Sequence, residues 1–232
     1  MADGRRNDRH PRRAGAAEGN ASGNNGQVSE EVQARTRNRW GEGERLRGEI
    51  LAAASRLLSE LDGEDALTIR GVARAVGIAP ASIYQHFSDR AALVTGLAEH
   101  EFGRLRLAME AAESRVPAED SVGRVRALLH AYCRFAMDNP GHYRLMTANG
   151  ASRIAPGVRP HGPTIDLIDR ISAAFARCAE SGVALRVPAD RAGVIAFVGA
   201  HGRVALFHSS GRRPGEDAVV SFADELLSLI FA

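Results

Sequence analysis

A chain of 232 residues with 44% hydrophobic side chains can bury a core of ordinary size, so a fibrous or wholly unstructured protein is excluded. No apolar run reaches the roughly 18 residues of a membrane span, and no apolar stretch follows the amino-terminal arginines, so a cytoplasmic protein without a membrane partner is expected. The net charge of +2 does not by itself announce a nucleic-acid ligand; every basic residue is Arg, and what matters is where the arginines fall.

Residues 1–40 hold eight Arg against five acids and almost no large apolar side chain. Such a composition cannot repay the entropy of ordering, and it reads as a disordered basic arm. Its last part, Arg35, Arg37 and Arg39 running on to Arg45 and Arg47, suits either the minor groove beside a DNA-binding unit or plain solvation. A helix is predicted over about 44–61, with Ile50, Ala54, Leu57, Leu58 and Leu61 on one stripe.

The stretch Leu67 to Val94 is the most informative. Thr68 can cap a helix whose Ile69, Val72, Ala73 and Val76 share one face, and Gly77 stands where a helix end favours a left-handed residue. Pro80 suits the first turn of a second helix, from which Ile83 and Phe87 face back onto the first. Two short helices joined around a Gly form a helix-turn-helix, although periodicity alone would also allow two ordinary core helices. In a helix-turn-helix the second helix enters the major groove, and here its exposed face would carry Ala81, Ser82, Tyr84, Gln85 and His86. Gln can pair bidentately with adenine, Ser, Tyr and His can donate to phosphates, and Arg70 can reach a phosphate or a guanine. Glu60, Asp62, Glu64 and Asp65 all precede this unit, whereas Arg70, Arg74 and Arg90 within it face only Asp89, so charge is sorted by face.

The pattern Leu67-Thr68, Val72-Ala73, Gly77-Ile78, Ile83-Tyr84, His86-Phe87 and Leu93 resembles the DNA-binding unit of the tetracycline-repressor (TetR) family. That resemblance implies phosphate contacts from Tyr84 and His86, base contacts from Gln85 and Ala81, a base or phosphate contact from Arg70, and a phosphate clamp from Arg90. Ala79 stands where the family often has a capping residue, leaving helix initiation to Pro80.

Ser88 is a candidate N-cap for a long helix through Leu93, Leu97, Phe102, Leu105 and Met109 to about Glu113. A helix from Ser121 to Asp138 turns Val125, Leu128, Leu129, Tyr132 and Phe135 inward, and Asn139-Pro140-Gly141 is expected to end it before a short turn at 142–147. After a Pro- and Gly-rich loop over 149–163, helical patterns cover 164–181, with Ile165, Ile168, Ile171 and Phe175 inward, then 188–209 and 216–231. Cys133 and Cys178 fall on separate helices and read as small buried hydrophobes. With no convincing strand, the fold class is all-α: a three-helix helix-turn-helix DNA-binding domain over 41–94, then a helical ligand-binding and dimerisation domain over 95–232.

The last two helical patterns are apolar on more than one face, as expected of a central helix or of half an interface. The TetR resemblance implies that they pair with their copies across a two-fold axis, with Leu226, Leu227 and Phe231 against the partner. Gly193, Ala196, Gly199, Ala200, Gly202 and Ala205 would permit close approach, between chains or within one. Ala200-His201-Gly202 resembles a Trp-His-Gly signature of one branch of these C-terminal domains, with Ala for Trp, and His201 is expected to be packed or hydrogen-bonded rather than a ligand contact.

No His-Glu-x-x-His, Cys-x-x-Cys, Gly-x-Ser-x-Gly or phosphate-cradling loop occurs, so no enzyme, metal or cofactor is expected. The reading is a homodimeric transcriptional repressor of a palindromic operator in double-stranded DNA, released by a small-molecule effector. Candidate effector contacts are Phe102, Tyr132, Phe135, Tyr143, Met146, Phe175 and Phe197. The alternative is a helical protein-interaction adaptor that does not bind DNA.

Overall fold

The computed structural model describes residues 25–60, 67–149, 161–209 and 216–232. Residues 1–24 of the expected arm, the side chains of Arg35, Arg37 and Arg39, the acids Asp62, Glu64 and Asp65, and most of the loop over 149–163 lie outside the described residues. The helices in chain order are α1 (Asn25–Glu60), α2 (Ile69–Val76), α3 (Pro80–Ile83), α4 (Arg90–Ser114), α5 (Ser121–Asp138), α6 (Pro140–Asn149), α7 (Pro163–Glu180), α8 (Ala189–Ser209) and α9 (Glu216–Ile230). Among the described residues the only β pairing is an isolated antiparallel bridge of Leu185 with Phe231. None of these helices is long and apolar enough to cross a membrane.

Three local expectations change. The backbone is already helical at Asn25, well before Glu44, in a stretch whose Glu, Gln, Ala and Arg are good helix formers. Residues 1–42 and 43–232 are separate compact units. The N-cap of α4 is Asp89 rather than Ser88: Asp89 Oδ1 accepts from the Ala92 N–H at 2.7 Å, and the Ser88 hydroxyl only supports it by donating to Asp89 Oδ2 at 3.3 Å. Asn139-Pro140-Gly141 does end α5, but it also starts a helix where a short turn was expected. The Asn139 side chain donates to the Phe135 carbonyl at 2.8 Å, its own carbonyl accepts from the Tyr143 N–H at 2.9 Å, and Pro140 occupies the first turn of α6, where a missing N–H costs nothing.

Two apolar clusters fill the unit. The first joins Ile50, Leu51, Ala54 and Leu58 of α1 to Val72, Ile83 and Phe87, and it continues through Leu93 and Leu97 of α4 to Leu145 of α6. The second, larger cluster is built from α5, α7, α8 and α9 with Leu105 and Met109 of α4. One helix, α4, therefore threads both, and the head's core runs past Val94. On α7 the most deeply buried positions are Leu167, Ile171, Ala174, Phe175 and Cys178, so Ile165 and Ile168 are only half-buried.

Close helix packing explains several small residues. A Cβ at Gly193 would collide with Ser172 of α7, and one at Gly199 would lie 2.6 Å from Leu226 Cδ2 of α9, so both glycines serve contacts within the chain. Leu227 is likewise internal, at 2% exposure, and it cannot be a partner contact as expected. The large apolar side chains that α8 and α9 leave uncovered are Val194, Val198, Leu206 and Leu229. Both cysteines are buried, and burial pushes the Cys133 thiol up to about 12 and the Cys178 thiol upward as well, so neither is a nucleophile near neutral pH.

Candidate functional site

The helix-turn-helix is assembled by short-range chemistry. Thr68 Oγ1 accepts from the Gly71 N–H at 3.0 Å and opens α2, while Gly77, at φ 81°, closes it with its N–H on the Ala73 carbonyl. Ala79 offers no side-chain cap, and Pro80 begins α3. Ile83 and Phe87 are buried against α1 and α2, and the Arg47 guanidinium covers the outer face of the Phe87 ring at 5.0 Å. With those two inward, Arg70, Ala81, Tyr84 and Gln85 are exposed and Ser82, His86 and Arg90 half-exposed. All seven candidate DNA contacts thus reach the surface of one unit. Arg90 also has a structural task, because its Nε donates to the Leu67 carbonyl at 2.8 Å and ties the start of α4 to the chain entering α2.

A cavity of about 220 Å³ lies among α4, α5, α6, α7 and α8. Six of the seven residues expected there line it: Phe102, Tyr132, Phe135, Tyr143, Met146 and Phe197. Phe175 does not; it is fully buried and packs its ring on Phe231 with centroids 5.6 Å apart, so it belongs to the core. Leu167 occupies the place on α7 that Phe175 was expected to take. It sits one helical turn before Ile171 and two before Phe175, a spacing visible in the sequence. Leu105, on the apolar pattern that also carries Phe102, lines the cavity as well, and Thr147, Thr164 and Ala136 join the wall with nothing in their local pattern to mark them.

His201 is hydrogen-bonded as expected, and it also stands in the cavity wall. Its Nδ1 lies 2.8 Å from the Tyr132 hydroxyl and 3.2 Å from that of Tyr143, and Phe197 stacks on its ring at 18°. Burial raises Tyr132 well above its usual value and Tyr143 to about 12, and it lowers His201. Near neutral pH all three are uncharged.

Between cavity and head lies a buried polar seam. Glu101 of α4 and His142 of α6 are essentially inaccessible, and Ser55 of α1 is buried beside them. The Ser55 carbonyl can only accept, so His142 Nε2, 3.1 Å away, carries the proton. Arg104 Nη1 donates both to Ser55 Oγ at 3.0 Å and to Glu101 Oε2 at 2.8 Å. Along α6 the residues alternate in allegiance: Tyr143, Met146 and Thr147 face the cavity, while His142 and Leu145 face the head.

Comparison with known proteins places this arrangement. The solved structure of a protein with unknown function from Rhodococcus sp. RHA1 superposes with a TM-score of 0.64 at 29% identity, covering 81% of this chain and 96% of that one. A TetR family transcription regulator from Marinobacter aquaeolei VT8 shares the fold at TM-score 0.57 and 17% identity, covering 84% of this chain and 98% of that one. The nucleoid occlusion factor SlmA of Vibrio campbellii is 29% identical over 105 residues, 44% of this chain and 52% of its own length. That of Aliivibrio fischeri MJ11 is 32% identical over 107 residues, with the same coverage. The chain therefore spans about half the length of these curated relatives. The helix-turn-helix is matched over residues 50–97 by the bacterial regulatory proteins, tetR family, and the helical body over 125–229 by the tetracyclin repressor-like C-terminal domain, and with both halves so matched this chain belongs to the TetR family.

Proposed function

We propose that this protein is a non-enzymatic transcriptional regulator, a repressor that binds a palindromic operator as a homodimer and releases it when a small molecule enters the cavity. The observation that carries the reading is the split of one short segment: Ile83 and Phe87 are locked into the head while Ala81, Tyr84 and Gln85 between and beside them point to solvent. Such a surface costs nothing in packing and suits a groove of DNA. Membership of the TetR family favours it over an adaptor that ignores DNA. The uncovered Val194, Val198, Leu206 and Leu229 supply the dimer face, and α6, shared by cavity and head, supplies the connection between effector and DNA.

The test uses genomic fragments selected by the purified protein. Tyr84→Ala combined with His86→Ala should weaken binding to operator and random DNA alike and flatten the dependence on salt, because phosphate contacts carry no sequence information. Gln85→Ala should instead cost about 1–3 kcal/mol on the operator and relax a single base position, as expected for a bidentate contact. Equal losses on both DNAs for Gln85→Ala would remove it from the reading heads, and full affinity in the double variant would place the interface elsewhere.

A further inference from the structure

We infer that the effector is a small uncharged molecule with an aromatic body and a hydroxyl group, the hydroxyl held by Tyr132, Tyr143 and His201. The inference deepens the proposed effector role of the cavity and rests on it. Its first support is the composition of the wall: among the described residues no Asp, Glu or Arg lines the cavity, so neither a carboxylate nor an ammonium would find a counter-ion there. The one base, His201, is held neutral by burial, and the phenols keep their protons. Its second support is size. A cavity of about 220 Å³ falls below the roughly 300–1,000 Å³ of sites for drug-sized ligands, and its Phe102, Phe135 and Phe197 walls favour a flat ring.

The third support is hydrogen-bond accounting. Two phenol hydroxyls lie within hydrogen-bond distance of His201 Nδ1; with Tyr132 donating to that nitrogen, the ring proton is assigned to Nε2. Tyr143 has a second acceptor in the His201 carbonyl at 3.3 Å, which leaves Nδ1 to Tyr132. In that tautomer the Nε2–H has only a long 3.5 Å contact to the Tyr143 oxygen, and lone pairs remain on both phenol oxygens. A hydroxyl can accept from the first and donate to the second at once. A ketone or an ether can use only the N–H. The stack of Phe197 on His201 fixes the direction in which that N–H points.

Calorimetric titration of the full chain with 4-ethylphenol, 4-ethylanisole, ethylbenzene, 4-ethylbenzoate and 4-ethylbenzylamine tests the inference. The phenol should bind about tenfold or more tightly than the anisole, because a site built to bond a hydroxyl rejects the analogue that leaves its groups unpaired, and the two charged probes should not compete with it. Tyr143→Phe and His201→Phe should each compress the phenol-to-anisole ratio to within about threefold, a loss of discrimination that general damage to the cavity, which lowers both affinities alike, would not give. The inference is overturned if 4-ethylphenol fails to bind at millimolar concentration, if anisole or a charged probe binds as tightly, or if both variants keep the full ratio. Operator titrations run in parallel separate the two readings. Selective phenol binding in a protein that ignores DNA upholds the ligand class and rejects the regulator, whereas operator binding without phenol selectivity does the reverse.

Discussion

Val198→Glu combined with Leu229→Glu is expected to leave the protein folded and monomeric. The two side chains are 58% and 71% exposed in the single chain, so their replacement removes no internal packing. If they meet a second copy, each carboxylate would be stranded in an apolar contact, at about 3–5 kcal/mol per uncompensated charge. A monomer presents one head to one half-site, and operator affinity should drop by about two orders of magnitude or more towards the non-specific level. Sedimentation velocity reads the first effect and a DNA titration the second. Leu227→Glu is the contrasting control. Its side chain is 2% exposed among α5, α8 and α9, and the charge should lower the denaturant midpoint rather than merely separate the subunits. A double variant that stays dimeric would show that the exposed stripe on α8 and α9 faces water, and the proposed interface would be abandoned.

The second large effect is expected at Leu145. This side chain leaves α6 on the side opposite the cavity and is buried in the head's cluster at 1% exposure. Leu145→Ala should cost about 2–5 kcal/mol of stability, the range for a core leucine truncated where neighbours relax only partly. The shift should appear in the denaturant midpoint with an unchanged slope. Because α6 also carries Tyr143 and Met146, the same substitution should loosen the link between effector and DNA: effector affinity is retained while the effector's power to release operator falls. His142→Ala acts on the same link by removing the donor to the Ser55 carbonyl and leaving Glu101 with Arg104 alone, at about 1–3 kcal/mol. If both variants release operator as the unaltered protein does, α6 is a passive support and the signal travels along α4.

The helix-turn-helix was legible because its determinants are local. The Thr68 cap, the left-handed Gly77 and the Pro80 start each act within a few residues, and the inward pair Ile83 and Phe87 follows from helical spacing. Where two adjacent residues can both cap, as at Ser88 and Asp89, local chemistry does not choose between them; the register of the following helix does. At Asn139-Pro140-Gly141 a stop signal and a start signal are the same three residues, and the helix that starts there is anchored by Leu145 in the head's core, far from these residues' local pattern. The cavity was partly legible, since large aromatics on inward faces are few. The exchange of Phe175 for Leu167 depended on which side of α7 the fold closes over. His201 was harder still. Its two phenol partners lie 69 and 58 residues away in sequence, on α5 and α6, and no window along the chain brings them together. Likewise the difference between buried Leu227 and exposed Leu229 is set by the helices packed beside α9, not by anything in α9.

The closeness of α6 to α1 has a consequence for how this family member can be recombined. At Gly141 an added Cβ would stand 3.1 Å from the Leu58 carbonyl, so the two backbones are nearly in touch where the seam of Ser55, Glu101 and His142 closes. The DNA head is therefore not a detachable cassette. A fragment cut after α4 would leave Leu58 bare on one flank and the Ser55 carbonyl without its donor. A graft of this head onto a foreign body would have to bring along a glycine, a histidine and a leucine in the register of Gly141, His142 and Leu145. Swapping operator specificity by exchanging only the exposed residues of α3 leaves that seam intact, and it is the route that the packing favours.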